Sequence, residues 1–203
     1  MNYPKINFIY SSIYDEIWKG NLLTVNNRSV GSDYPSPRRI QNYIKVVNRL
    51  WRKDEKKVLT ELSKISQLRW KEKNIRCYIV GKCIPFSDPL TISIYKKSPD
   101  NFIDILIHEL IHRLFIQDGN LKKSANSWSY FEKKYKKESK ITKNHIVLHA
   151  IHSHIYLKIF NQKRLKRDIK NISFIPAYKR AWEIVQTVGY KNIISEFTSK
   201  IRQ

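Results

Sequence analysis

The sequence predicts an α+β fold, mostly helical, in which a small sheet with an exposed edge strand lies beside one buried helix. Three observations carry this. Apolar residues recur at helical spacing through most of the 203 residues. Two segments, 75–80 and 90–95, read as short strands instead. From 98 to 119 runs a helix that is apolar nearly all round and so belongs in the middle of a fold. The 41% hydrophobic content is enough for a core, and no internal repeat or Gly/Ser linker divides the chain. Residues 1–72 are read as an N-terminal helical layer packed on a core of residues 73–203, which ends in a C-terminal helix. Together they make one compact domain.

The elements follow in order. Ser36-Pro37 supplies a capping hydroxyl and a proline at the first helical position. Ile40, Tyr43, Ile44, Val47, Leu50 and Trp51 then recur at helical spacing. The charged stretch 52–57 predicts a break, after which Val58, Leu59, Leu62, Ile65 and Leu68 form a second helix. Strand 75–80 ends at Gly81, and strand 90–95 alternates with period two, as a half-buried strand does. Ser98-Pro99-Asp100 starts the buried helix with a cap, a proline and an acid at its positive end, and Gly119 stops it. Residues 120–143 read as a polar loop or weakly ordered helix, 143–160 as a helix, and 162–170 as a basic connector. Residues 177–201 read as one amphipathic helix bent at Gly189.

Charge is the strongest compositional feature, at +22. Such a surface attracts polyanions, so nucleic-acid association is an expected property, although most lysines in a charge run only solvate a face. No stretch approaches the ~18 apolar residues of a membrane span, so no membrane partner is expected. Residues 1–19 mix Asp, Glu and Lys with apolar residues and lack a signal-peptide run, which makes the cytoplasm the expected compartment. Two cysteines, Cys77 and Cys83, are too few for a disulfide framework and are expected to stay reduced.

The buried helix carries His108-Glu109-Leu110-Ile111-His112. At about 100° per residue the two histidines lie ~40° apart on one face, one turn above the other. Two imidazoles so placed reach one tetrahedral Zn²⁺ at about 2.0–2.1 Å. Glu109 flanks that face, where a carboxylate acts on water without ligating the metal. An apolar helix has no reason to hold these three groups unless something satisfies them. A catalytic zinc takes a third protein ligand and keeps one position open. The other four histidines of the chain's six all lie within 144–154. On a helix His145, His149 and His152 fall within about 60° of one another, with His154 on the opposite side. At least one of those three is expected to ligate the ion. Asp104, one turn before His108, suits an acceptor that orients its imidazole, or a favourable charge in the first turns of the helix. His152, Tyr156 and Tyr178 are candidate donors to a developing oxyanion.

Residues 90–156 resemble the catalytic core of the zincin metallopeptidases, in a gluzincin-like arrangement. The resemblance covers about a third of the chain and is specific only in the His-Glu-x-x-His element. It implies an edge strand at 90–95 that aligns an extended peptide by main-chain hydrogen bonds. It also implies a third ligand from a later helix and hydrolysis of peptide bonds, with Glu109 as general base. That family uses a glutamate as third ligand where this helix offers histidine. Its ligand is followed four residues later by a polar supporting group and is often preceded by Asn. Asn144, His145 and His149 reproduce that spacing, so the resemblance implies His145 as ligand and His149 as support, with the reverse order as the alternative. The related metzincin pattern is absent, because Phe115 stands where it needs Gly, and this disfavours Asp118 as a ligand.

Two other functions are weighed. A deformylase-like zinc amidohydrolase would take Cys83 as third ligand, and Gly81-Lys82-Cys83-Ile84 is faintly similar to the turn that family uses. A basic nucleic-acid-binding protein with a structural zinc would use the Trp and Tyr residues interleaved with Lys in 128–143.

Overall fold

A computed structural model describes residues 3–26 and 33–201, so the two ends of the predicted segments, 1–2 and 202–203, lie outside the described residues. The fold is α+β and mostly helical, with eight helices and a four-stranded mixed sheet among the described residues. The chain groups into two compact units, Asn2–Lys56 with Glu72–Arg113, and Lys57–Lys71 with Leu114–Gln203.

The first unit holds strands β1 (Lys5–Ile9), β2 (Asn74–Val80), β3 (Phe86–Ser87) and β4 (Leu90–Ser93). It also holds helix α1 (Ser12–Asn26) and most of α2 (Pro37–Ser66) and α3 (Pro99–Ile116). The sheet order is β1-β2-β4-β3, parallel except for β3. Period two decides its faces. Ile75, Cys77 and Ile79 of β2 are buried while Asn74 and Arg76 are exposed. Ile6 and Phe8 sit beside Ile75 and Cys77 in register, and Phe102 of α3 meets Phe8 and Tyr43 edge-on at 6.0 and 5.7 Å. On the other face Tyr14 of α1 packs on Tyr78 at 5.1 Å and shares a hydrogen bond with Thr91 Oγ1 at 3.0 Å. Asp15, buried, accepts from the Gly81 amide at 2.7 Å and the Tyr34 hydroxyl at 2.6 Å.

Three expectations change here. β1 lies inside the segment predicted to be a helical layer. Its alternation of Ile6 and Phe8 with Lys5 and Asn7 is short, and its partner β2 is distant in sequence. The charged stretch 52–57 does not break α2, which is one helix of 30 residues. Those charges serve the tertiary structure: Glu55 accepts from the Ile6 amide and the Trp51 indole at 3.0 Å each. Arg52 pairs with Glu55 and donates to the Ile6 carbonyl at 3.0 Å. Finally, β4 is not an edge strand over Leu90 and Thr91, because β3 folds back antiparallel and pairs with both.

The second unit contains α4 (Asn120–Lys134), α5 (Lys140–Ile159), α6 (Gln162–Ile172), α7 (Pro176–Val188) and α8 (Tyr190–Ile201). α4 occupies most of the stretch read as a polar loop or weakly ordered helix. Its inward face is Asn120, Ser124, Ser127 and Phe131, a helical spacing concealed by small polar residues. Ser127 donates to the Phe197 carbonyl at 2.8 Å, and Trp128 meets Phe197 and Phe115 at 5.3 and 5.1 Å. α5 forms the centre of its unit, started by Ser139, whose hydroxyl accepts from the Thr142 amide at 3.1 Å. His154 faces away from its sister histidines and meets Glu61 at 2.8 Å, where Lys158 also binds. The basic connector is helix α6, capped by Asn161, with its one acid, Asp168, buried beneath it. The predicted bend at Gly189 is a full break between α7 and α8, since the glycine takes φ 87° there. No helix among the described residues is long and apolar enough to cross a membrane.

Candidate metal centre

The centre is built on α3, where Phe102, Leu106, Ile107 and Leu110 are fully buried. Within this apolar surround His108 and Glu109 are each 7% exposed, and His112 is half-buried. The two imidazoles stand one turn apart with ring centroids 5.1 Å from each other. The helix is fixed in its unit just beyond them. Arg113 donates to both carboxylate oxygens of Glu72 at 2.8 Å, pairs with Asp88 and reaches the Ser87 carbonyl at 3.2 Å. That fork ties α3 to the β3–β4 turn. The sequence offered no signal for it, since Arg113 reads as a favourable charge in a last helical turn.

One ligand atom from each of His108, His112 and His145 lies within 4.8 Å of the others. Two nitrogens bound at 2.0–2.1 Å to a tetrahedral ion stand about 3.3 Å apart, so three atoms this close could hold a metal ion. In His145 the hydrogen bonding shows which nitrogen is available to an ion. Its Nδ1 is 2.8 Å from the Ile141 carbonyl, and a carbonyl only accepts, so Nδ1 carries the proton. The lone pair is then on Nε2. This is the arrangement that orients a metal-binding imidazole. Burial holds the His145 pKa below that of ordinary histidine, opposed by the Ile141 bond, and the neutral form is the one a metal needs. Three imidazole nitrogens as a donor set fit a transition-metal ion and suit a hard oxygen-seeking cation poorly.

The other residues predicted for the site fall into separate groups. His149 is fully buried but is not in this set; its ring stacks on Trp182 with centroids 4.1 Å apart and planes at 8°. His152 is fully buried, stacked on Tyr156 at 4.5 Å, with Nδ1 3.8 Å from Asp168. Burial, with Arg164 adding to it, pushes the His152 pKa down to about 3, so its ring is neutral. Tyr178 is half-buried and lays its ring on His145 at 4.1 Å. Asp104 is fully buried in α3, one turn ahead of His108. Asp118 is exposed beyond the end of α3 and outside the set. Cys83 is outside it too; burial pushes its thiol up to about 12, a poor starting point for a thiolate ligand.

Glu109 carries a perturbed carboxyl. Burial raises its pKa to about 8. A divalent cation close by lowers the pKa of such a group again. Cys77 and Cys83, in the same unit, lie within electrostatic reach of Glu109.

The chain matches no protein-family model, no curated protein and no solved structure.

Proposed function

We propose that the chain is a zinc-dependent hydrolase that cleaves peptide bonds. The observation that carries this reading is the closeness of one ligand atom each from His108, His112 and His145, largely buried residues, with the Glu109 carboxyl next in sequence to the first of them. Three nitrogen donors suit a catalytic ion better than a structural one, because closed structural sites take four protein ligands and catalytic ones keep a position open. Zinc, when bound, supplies a Lewis acid that acidifies water and polarises a carbonyl. Glu109 takes the proton of the attacking water and delivers it to the leaving amine. His145 is held in one tautomer by the Ile141 carbonyl, so its lone pair is committed before any ion arrives.

The test is metal analysis of purified protein, then peptide-library cleavage by wild type and Glu109→Gln. The expected outcome is one zinc per chain in both, with hydrolysis in the variant lower by at least ~10²-fold, the scale of a lost general base. Wild-type turnover in Glu109→Gln, or loss of zinc from it, overturns the assignment.

A second reading concerns the basic surface. In unit two several cations are paired with acids: Lys134 with Glu196, Lys143 with Glu132, and Arg180 with Glu138. On α6, by contrast, Lys163, Lys166 and Lys170 line one exposed side at helical spacing while Asp168 is buried. This favours polyanion association through α6, with single-stranded nucleic acid the nearest fit because Phe174, one turn further on, is 79% exposed. Three phosphate contacts give a slope of about −2 in log K against log salt. Binding with that slope, abolished by changing all three lysines to Glu, supports the reading, and unchanged binding refutes it.

A further inference from the structure

The ring that touches His145 most closely belongs to another helix, and the packing of α5 on α7 repeats at one-turn intervals. His145 and His149 are one turn apart on α5; Tyr178 and Trp182 are one turn apart on α7. Tyr178 lies on His145 with centroids 4.1 Å apart and planes at 30°, and Trp182 lies on His149 at 4.1 Å and 8°. Edge contacts close the group: His145 meets His149 at 5.4 Å and 60°, and His149 meets Tyr178 at 5.9 Å and 80°. Trp182 keeps its indole N–H buried with no acceptor among the described residues, so it is its ring face that holds it here. The register is fixed at the first turn of α7. Thr142 donates to the Ala177 carbonyl at 3.2 Å, and Arg180 grips Glu138 through two nitrogens at 3.0 and 2.8 Å.

We infer that Tyr178 is a positioning residue of the metal centre, and that α7 presents the third ligand ready-oriented. The inference rests on the zinc-site reading above. The χ2 torsion of a histidine is broad and roughly two-fold, so nothing intrinsic to the side chain aims its Nε2 lone pair. Two contacts remove that freedom. The Ile141 carbonyl fixes which edge of the ring faces the backbone. The Tyr178 face fixes the plane, and His149, held by Trp182, blocks rotation from the side. The part of Tyr178 that matters is its ring. This assigns it a different role from hydroxyl donation to an oxyanion.

Zinc affinity measured by competition with a chromophoric chelator tests this on the full chain, with melting temperature in excess chelator as the control for folding. Tyr178→Phe keeps the ring and is expected to bind zinc within about threefold of wild type. Tyr178→Leu loses the flat face and is expected to bind about 10–100-fold more weakly, the scale for groups that orient a ligand. If the Leu variant does not fold, Tyr178→Met takes its place with the same expectation. In the metal-free protein the His145 Nδ1–H proton signal should persist in Tyr178→Phe and broaden in the aliphatic variant, a readout that general destabilisation does not mimic. Wild-type affinity in the aliphatic variant overturns the inference and leaves the zinc site standing. Equal losses in Phe and Leu overturn it too, since the hydroxyl is then the part that acts. A wild type that takes up no zinc overturns the site and the inference together.

Discussion

On the proposed zinc-site reading, replacing His145 by Ala separates the metal centre from the fold that carries it. In the metal-free protein the change removes one buried imidazole, 6% exposed, with its bond to the Ile141 carbonyl. The hydrogen bond contributes about 1 kcal/mol, and the space beside Tyr178 brings the cost to about 2–4 kcal/mol. In the presence of zinc a second loss appears. An ion that binds only the native state stabilises by RT ln(1 + [L]/Kd), or about 4.1 kcal/mol at a thousandfold excess over Kd. For a chain of this length each kcal/mol shifts Tm by about 2–4 °C, so zinc should raise the wild-type Tm by ~8–16 °C. His145→Ala removes one of three donors, and its zinc-dependent shift should fall to near zero. His149→Ala removes a ring outside the ligand set, so it should lower Tm in both conditions and keep most of the shift. The assay is thermal unfolding with chelator and with buffered zinc, followed by fluorescence of the five tryptophans. A full zinc shift in His145→Ala together with its loss in His149→Ala refutes the reasoning.

Two further predictions concern the frame around the centre. Burial raises the Glu61 pKa, but hydrogen bonds from Lys158 and His154 outweigh it and leave the group below its ordinary value. A depressed carboxyl stabilises the fold above its unfolded pKa, near 4.3, and that contribution is lost as pH falls through the folded value. Glu61→Gln should therefore lower Tm at neutral pH and converge on wild type at about pH 3; a gap that persists or widens in acid contradicts this. At Gly81 an added methyl lies 2.4 Å from the Tyr34 ring, which hydrogen-bonds Asp15. Gly81→Ala should cost about 1–3 kcal/mol in denaturant unfolding, and less than half as much in a Tyr34→Ala background. Equal costs in the two backgrounds show that the clash is elsewhere.

Local chemistry made α3 legible. A capping serine, a proline, an acid and a run of apolar residues specify where that helix starts and that it is buried, and the spacing of His108 and His112 puts both on one face whatever surrounds them. The strands at 75–80 and 90–95 were legible as strands, but the alternation of the second predicted a half-buried strand and Leu90–Ser93 is buried at every position. Elements whose inward groups are polar were not legible. The Ser124 and Ser127 face of α4 carries no apolar period, and the charges of Arg52 and Glu55 read as a break because their partner, the β1 backbone at Ile6, is distant in sequence. The β3 strand that covers Leu90 and Thr91 has two residues, too few to show a period. The third ligand shows the division most clearly. Sequence alone put His145, His149 and His152 on one face of one helix, and helical geometry treats the three alike. Which of them comes near His108 and His112 is not a property of the helix itself, in which neighbouring residues are only about 1.5 Å apart along the axis. Tertiary packing tells the three apart: within their own unit the Thr142 bond to Ala177 and the rings of Tyr178 and Trp182 set α5 against α7. His149 is held in that ring stack, and His145 is the residue whose ligand atom lies within 4.8 Å of those of His108 and His112.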